Sequence, residues 1–225
     1  MKRPLVVVVI CCTMGVAWAT PVDRELVYID LNSKVNQKLT ENLGTGAEGN
    51  NLKELPTGEQ AFGDVKFKIG DGLIHLGSKV LDKLPEKVEG IKIDGKLAKL
   101  YILHATSFGG GPNKEGDPWF VKDDTHIGEY RVNFEDKSSE MIPIVYGQDV
   151  RDWFYVEGEK DLTRGKIVWK GENVRATQVG AKIRLYLTTW ENPKPDKKVI
   201  SIDYVGRKDE TVAAPFCVAM TAEKK

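Results

Sequence analysis

The stretch YRVNFEDKSSEMIPIVY, residues 130–146, decides the fold class because it holds two strand patterns joined by a turn. Apolar residues stand at every second position from Tyr130 to Phe134, which is the spacing of a strand with one buried face. Turn-forming residues fill positions 136–139 and predict a hairpin. Pro143 interrupts the second run, which favours a position at the edge of a sheet.

The same period of two returns along the rest of the chain. The runs are residues 65–69, 183–187, 199–205 and 216–220. Residues 100–103 are apolar throughout and predict a central strand that is covered on both faces. Only residues 76–84 place apolar side chains on one helical face, so a short helix or an irregular crossing is expected near 78–84. Many short strands separated by turns predict an all-β fold, an antiparallel two-sheet β-sandwich, with residues 20–225 as one domain.

The first nineteen residues read as a secretory signal peptide. Lys2 and Arg3 form a positive start, residues 5–16 are apolar, and Ala17-Trp18-Ala19 is an A-x-A cleavage site. The apolar run is shorter than the roughly 20 residues of a membrane-spanning helix, although an uncleaved anchor is the alternative. We therefore expect a secreted or periplasmic protein with no membrane span after signal cleavage.

The charge balance of the expected mature chain argues against partners that bind mainly through charge, such as nucleic acid. Removal of residues 1–19 takes away two of the 33 basic residues and none of the 33 acidic ones, which leaves a formal charge of −2. Such a chain has no basic excess with which to bind nucleic acid or an anionic membrane. Cys217 is its only cysteine, so no internal disulfide can form. We expect a buried structural thiol, with a catalytic thiol as the alternative.

The sequence lacks the common catalytic signatures. It has no G-x-S-x-G motif, and Gly109-Gly110-Gly111 lacks the GK[ST] ending of a phosphate-binding loop. Its three histidines are far apart and show no metal-ligand spacing, so no metal site is predicted. No pair of carboxylates stands in an apolar setting typical of a glycosidase. The protein is therefore not expected to be an enzyme, although distance in sequence does not exclude a site assembled in space.

The aromatic residues suggest a binding site instead. A sugar ring has an apolar face and a rim of hydroxyls, so it favours a flat aromatic side chain beside paired hydrogen-bonding groups. GQDVRDWFYVEGE, residues 147–159, supplies Asp149, Arg151 and Trp153 at alternate positions, hence on one side of an extended segment. Trp119, which follows a glycine-rich segment, is a candidate second wall. The alternative is that these tryptophans belong to the core and that Arg151 pairs with a neighbouring aspartate.

Two long segments do not have the pattern of strands. They are residues 40–51 and residues 108–118, both rich in glycine and polar residues. Long loops without secondary structure are uncommon in compact domains and often carry function.

Three groups of residues resemble a known family. They are Asp30-Leu31, residues 55–69 (LPTGEQAFGDVKFKI), and Trp190-Glu-Asn-Pro-Lys-Pro195 with Ile202-Asp203. They are similar to the galactose-binding-domain-like β-sandwiches found in secreted bacterial modules, and the resemblance extends from about residue 26 to residue 220. It implies a jelly roll of two facing sheets that binds glycans, lipids, peptides or proteins through loops at one end. A structural calcium ion is common in such folds.

Residues and resemblance together predict a secreted, non-catalytic carbohydrate-binding module. Its expected ligand is a glycan or a cell-envelope polysaccharide, bound by Trp153, Arg151, Asp149 and Trp119 without a cofactor. The alternatives are a cell-envelope module with a protein partner or a structural role and, less favoured, a glycan-active enzyme. A fold by itself does not decide among these functions.

Overall fold

The computed structural model describes residues 25–109 and 116–225, so the expected signal peptide lies outside the described residues. Within them the chain forms thirteen strands and one short helix. The elements are β1 (Leu26–Ile29), β2 (Gln37–Lys38), β3 (Gly58–Phe62), β4 (Val65–Ile69), β5 (Gly72–His75), β6 (Lys87–Ser107), β7 (His126–Phe134), β8 (Ser139–Val145), β9 (Phe154–Tyr155), β10 (Lys166–Gly171), α1 (Val174–Gln178), β11 (Lys182–Glu191), β12 (Lys198–Gly206) and β13 (Ala214–Lys224).

The long strand β6 connects the two layers of an antiparallel sandwich. Its second half, residues 97–107, lies between β13 and β11, and β1, β5, β9 and β10 extend that layer. Its first half, residues 87–96, pairs with β12, which continues through β7 to β8. A strand that passes from one sheet into the other forms a corner of a sandwich. The all-β sandwich expected from the sequence is therefore confirmed, and β3 and β4 add a small separate sheet.

The two layers meet through large aromatic side chains. The rings of Tyr130 on β7 and Tyr204 on β12 stack with centroids 4.5 Å apart. His104, on the other layer, places Nδ1 3.1 Å from the Tyr130 hydroxyl. Cys217 lies nearby and is fully buried, and burial raises the pKa of its thiol to about 12. The expectation of a buried structural thiol is confirmed, because a thiol with this pKa is not ionised at neutral pH.

Alternation predicted most strands correctly, but the helix prediction was less accurate. Residues 130–146 form the β7–β8 hairpin, with Lys137 at φ 67° in the turn and β8 at the edge of its layer. Residues 78–84 form successive turns, which is the irregular crossing and not the short helix. The helix is α1, where the Asn173 side chain caps the first turn by accepting a hydrogen bond from the backbone N–H of Ala176 at 2.7 Å. In the described parts of the chain no helix has the length and apolar character of a membrane span.

The turn after β11 is held by its asparagine. Asn192 is buried, and its Nδ2 donates to the Leu97 carbonyl at 2.9 Å. Its Oδ1 accepts from the backbone N–H of Lys194, also at 2.9 Å. Trp190, two residues earlier, is half-buried and packs against the core. The Trp190–Pro195 segment therefore braces the end of β11 against β6.

We expect Asn192→Ala to lower the free energy of unfolding by about 1–3 kcal/mol, because it leaves the buried Leu97 carbonyl without its donor. Denaturant unfolding measures this loss directly. The control is Glu191→Ala, since the neighbouring Glu191 side chain is 75% exposed and its removal should leave stability unchanged within error. Equal stability of both variants and the wild type would contradict a bracing role for Asn192.

Candidate functional site

A cleft lies where the described parts of the two long segments predicted as loops approach each other. Its volume is about 530 Å³. Residues 44–50 supply one wall, and residues 107–108 and 117–119 supply another. Residues 152–156 form the floor, and α1 with the residues that follow it closes the remaining side. The cleft therefore combines groups that are far apart in the sequence.

Two stacked aromatic rings form one wall of the cleft. The rings of Phe108 and Trp119 have centroids 4.9 Å apart and an angle of 22° between their planes. Phe108 stacks on the indole, yet Trp119 remains 38% exposed. Phe108 holds φ at 64°, a left-handed conformation that costs a non-glycine residue on the order of 1 kcal/mol or more. Such strain is concentrated at binding sites in proteins, where it positions side chains in advance.

Two buried oxygen atoms in the cleft have no hydrogen-bond partner among the described residues. They are Asn50 Oδ1 and Ser107 Oγ, in residues that are only 9% and 2% exposed. The Asn50 amide is oriented by its Nδ2, which donates to the Leu43 carbonyl at 2.9 Å, so the oxygen is the free end. Burying a polar group without a partner costs about 1–3 kcal/mol. A ligand in the cleft could supply the missing donors.

Two carboxylates also line the cleft. Asp117 Oδ1 accepts from the backbone N–H of Trp119 at 2.8 Å, and Asp152 Oδ1 accepts from that of Phe154 at 3.0 Å. Burial raises the pKa of Asp152 to about 7, and the negative charges of Glu159 and Asp117 act in the same direction, against the hydrogen bond from Phe154 and the charge of Arg184. At neutral pH the Asp152 carboxyl is therefore close to an equal mixture of its charged and neutral forms.

Asp149 and Arg151 do not lie in this cleft. Asp149 is buried and accepts from Arg164 through both of its oxygens, at 2.9 and 2.6 Å. Arg151 is buried and donates to both oxygens of Asp123, at 2.7 and 3.0 Å. The alternative reading, in which Arg151 pairs with an aspartate, therefore describes its environment, although the partner is Asp123 and not a neighbour in sequence. Paired charges of this kind hold the 147–151 segment against the rest of the fold.

The structure brings Trp153 and Trp119 to the same cleft, but it presents them differently. Trp153 is only 2% exposed and packs edge-on against Phe216 at 5.7 Å, so it forms part of the floor. The backbone of Trp153 donates to the Thr106 carbonyl at 2.9 Å, which fixes this segment beside the end of β6. Asp149, Arg151 and Trp153 are thus buried, whereas Asp152 and Phe154 are half-buried and line the cleft.

This inversion of the predicted faces has a physical cause. The alternation correctly placed residues 149, 151 and 153 on one side of the segment and residues 152 and 154 on the other. The charged side chains of the first set suggested that this side was exposed, but in the structure it is buried. Asp149 and Arg151 can be buried because Arg164 and Asp123, distant in sequence, neutralise them. No local pattern identifies such partners.

Sequence reasoning missed Asn50, Ser107, Phe108 and Arg175 as members of the site. Asn50 and Phe108 lie in the two segments that were recognised as long loops, so loop length was the signal that could have located the cleft. Arg175 lines it from α1, which the sequence did not predict. No group of three or more His, Cys, Asp or Glu side chains in residues 25–109 and 116–225 is arranged to hold a metal ion.

Comparison with protein-family models and with curated proteins finds no match for this chain. The site must therefore be interpreted from its own chemistry. The class of protein that the fold and the cleft define is an all-β sandwich with an aromatic, acceptor-rich cleft between its loops.

Proposed function

We propose that the protein binds carbohydrate, non-catalytically, in the cleft lined by residues 44–50, 107–108, 117–119 and 152–156. The observation that carries the proposal is the combination of an open tryptophan ring with two buried oxygen atoms that lack partners. A sugar has both complementary features, an apolar ring face and hydroxyls that donate hydrogen bonds. Export to a secreted or periplasmic location, where polysaccharides are accessible, is part of this proposal and is supported by the pattern of residues 1–19.

Each part of the cleft has a defined role in the proposal. Trp119 offers its uncovered surface for stacking, and the strained Phe108 holds the indole in place from the other side. Asn50 Oδ1 and Ser107 Oγ accept hydrogen bonds from ligand hydroxyls. Phe154, which is half-buried, adds apolar surface to the floor. A single stacking contact with a few such hydrogen bonds gives an expected dissociation constant of about 0.1–1 mM, or about −4 to −5.5 kcal/mol.

Screening the purified protein on a glycan array and titrating a bound glycan by calorimetry tests the proposal. Trp119→Ala should weaken binding about tenfold or more, because it removes the stacking surface. Met141→Ala is the control, since Met141 is a similarly exposed apolar residue on β8, outside the cleft. Absence of binding to every glycan on the array would favour the protein-partner alternative.

Ser107→Ala separates a binding role from a structural one. Because the buried Ser107 hydroxyl has no protein partner, its removal should leave the free energy of unfolding unchanged or raise it by up to about 1 kcal/mol. The same change should weaken glycan binding about fivefold or more, because the ligand loses one hydrogen bond. Denaturant unfolding and calorimetry measure the two effects. A loss of stability with unchanged binding would show that the hydroxyl serves the fold instead.

A further inference from the structure

The polar groups of the cleft are mainly acceptors. Asn50 Oδ1 and Ser107 Oγ lack partners, and the carboxylates of Asp117 and Asp152 each use one oxygen for a backbone N–H. Neither carboxylate forms an ion pair with any cationic side chain in the described part of the chain. A ligand that brings hydrogen-bond donors complements these oxygen atoms, and a positively charged donor does so more strongly than a hydroxyl.

Other buried carboxylates of this protein are neutralised by arginines. Asp149 pairs with Arg164 at 2.6 Å, and Glu129 pairs with Arg131 at 2.9 Å. Next to the cleft, Arg184 pairs with Glu159 and donates its Nε to the main-chain carbonyl of Asp152 at 3.1 Å, not to the carboxylate. Arginines thus neutralise these carboxylates, whereas the two that face the cleft have no cationic partner among residues 25–109 and 116–225.

The cleft also has the charge and the rings that stabilise a cation. The charged residues among its described lining are Asp117, Asp152 and Arg175, which together carry a formal charge of −1 when both aspartates are ionised. Trp119 and Phe154 present aromatic surface to the same space, and a cation over such a ring gains about 0.5–2 kcal/mol. Carboxylates next to aromatic faces are the combination that binds ammonium groups.

We infer that the ligand of this cleft carries a positively charged nitrogen, placed between the carboxylates of Asp117 and Asp152 and against the aromatic wall. Because this inference rests on the proposed function, it identifies the carbohydrate as an amino sugar with a free, unacetylated amine. The ammonium group donates up to three hydrogen bonds, which the unused carboxylate oxygens and the free Asn50 and Ser107 oxygens accept. Acetylation of the amine removes both the charge and two of these donors.

Calorimetry with a matched pair of sugars tests the inference. The probes are a tetramer of β-1,4-linked glucosamine and its fully N-acetylated counterpart, titrated into the full protein at pH 7.0 and low salt. The amine form should bind about tenfold more tightly, because a charge-assisted hydrogen bond is roughly twice as strong as a neutral one. Choline is a third probe, since its ammonium charge is permanent and it is not a sugar.

Three variants give effects of opposite sign. Asp152→Asn and Asp117→Asn should each reduce the preference for the amine form to about threefold or less, because each removes an ionisable carboxylate from the cleft. Arg175→Gln should increase the preference about twofold to fivefold, because it removes the only positive charge among the described lining residues. Asp209→Asn is the control for net charge, since Asp209 is exposed and outside the cleft, and it should leave the preference unchanged.

The outcomes separate the inference from the proposed function. Equal binding of the two tetramers would overturn the inference and leave carbohydrate binding intact. Binding of choline alone, lost in Asp152→Asn, would support the cation site and overturn the identification of the ligand as an amino sugar. Failure of all three probes would overturn the inference, and the glycan array would then decide the proposed function by itself.

Discussion

Arg184→Met is expected to lower the free energy of unfolding by about 3–5 kcal/mol, because it leaves a buried carboxylate without its cation. Arg184 is only 3% exposed and pairs with Glu159, whose side chain is also buried. Its guanidinium carbon lies 5.0 Å from the ring centre of Tyr155 and 5.2 Å from that of Tyr186, so it is enclosed by aromatic rings. Methionine keeps most of the aliphatic volume but supplies no donor.

The same guanidinium also fixes the floor of the cleft. Its Nε donates to the carbonyl of Asp152 at 3.1 Å, and its Nη2 donates to that of Phe154 at 3.4 Å. Loss of Arg184 therefore removes main-chain hydrogen bonds in addition to the ion pair. Since residues 152 and 154 both line the cleft, ligand binding should weaken together with stability.

A double-mutant cycle distinguishes the buried charge from simple loss of packing. Arg184→Met combined with Glu159→Leu should recover most of the stability, because replacing both partners of a buried pair by apolar groups is often nearly neutral. Lys198→Met is the surface control: it breaks the ion pair with Asp94, whose side chain is 83% exposed, and should leave the unfolding midpoint unchanged within error. Denaturant unfolding with a constant slope measures the wild type, the two single variants, the double variant and the surface control. A loss below about 1 kcal/mol in Arg184→Met would contradict the assigned role.

The sequence predicted the architecture well because strand burial is a local property. The alternation in residues 65–69 and 130–134 depends only on which side chains face the core, and both segments became strands with that burial pattern. The apolar run at residues 100–103 became the centre of β6, paired on both sides by β11 and β13. These patterns need no knowledge of distant residues.

The site was harder to predict because its chemistry depends on distant partners. Asp149 and Arg151 have the composition of a sugar-binding surface, but ion pairs with residues 164 and 123 place them in the interior. Nothing in the sequence distinguishes Ser107 from other residues at the end of a strand. Only the structure shows that its hydroxyl is buried without a partner among the described residues. Only Trp119 was both predicted as a contact and found exposed at the cleft. Its assignment as a ligand contact stays a prediction.

The second large effect concerns acid stability and arises from two buried histidines. His75 Nδ1 lies 2.6 Å from Gln37 Oε1, and His104 Nε2 lies 2.8 Å from Thr188 Oγ1. Burial lowers the pKa of each imidazole from 6.5 to about 4. Between these values the folded histidines are neutral, whereas the same residues in the unfolded chain bind protons. The free energy of unfolding therefore decreases as the pH falls from about 6.5 to about 4. Each histidine that is protonated only in the unfolded state contributes about 1.4 kcal/mol per pH unit.

Asp152 opposes this loss over nearly the same range. Its pKa is raised from 3.8 to about 7, so between these values the folded state holds a proton that the unfolded state has released. Its contribution to stability is therefore largest at low pH and is lost as the pH rises through that interval. Carboxyl groups whose pKa is lowered, such as Asp123 beside Arg151, lose their contribution only below about pH 4. Near pH 5 the two histidines bind about two more protons in the unfolded state than in the folded state, and Asp152 binds about one fewer. The unfolded state therefore holds about one proton more than the folded state.

The expected result is a wild-type slope of about 1 kcal/mol per pH unit between pH 4.5 and 6, with stability falling toward acid. His104→Gln should bring that slope close to zero, because one histidine then balances Asp152, and His75→Gln should do the same. Asp152→Asn should raise the slope to roughly twice the wild-type value, because it removes the only opposing group of the three. Chemical denaturation at half-unit steps of pH measures the slopes independently of each variant's absolute stability.

Equal slopes in all four proteins would show that these groups do not govern the acid response. A steeper slope in Asp152→Asn alone would confirm that the cleft carboxyl is desolvated in the folded state, which is the condition that makes a cationic ligand favourable there.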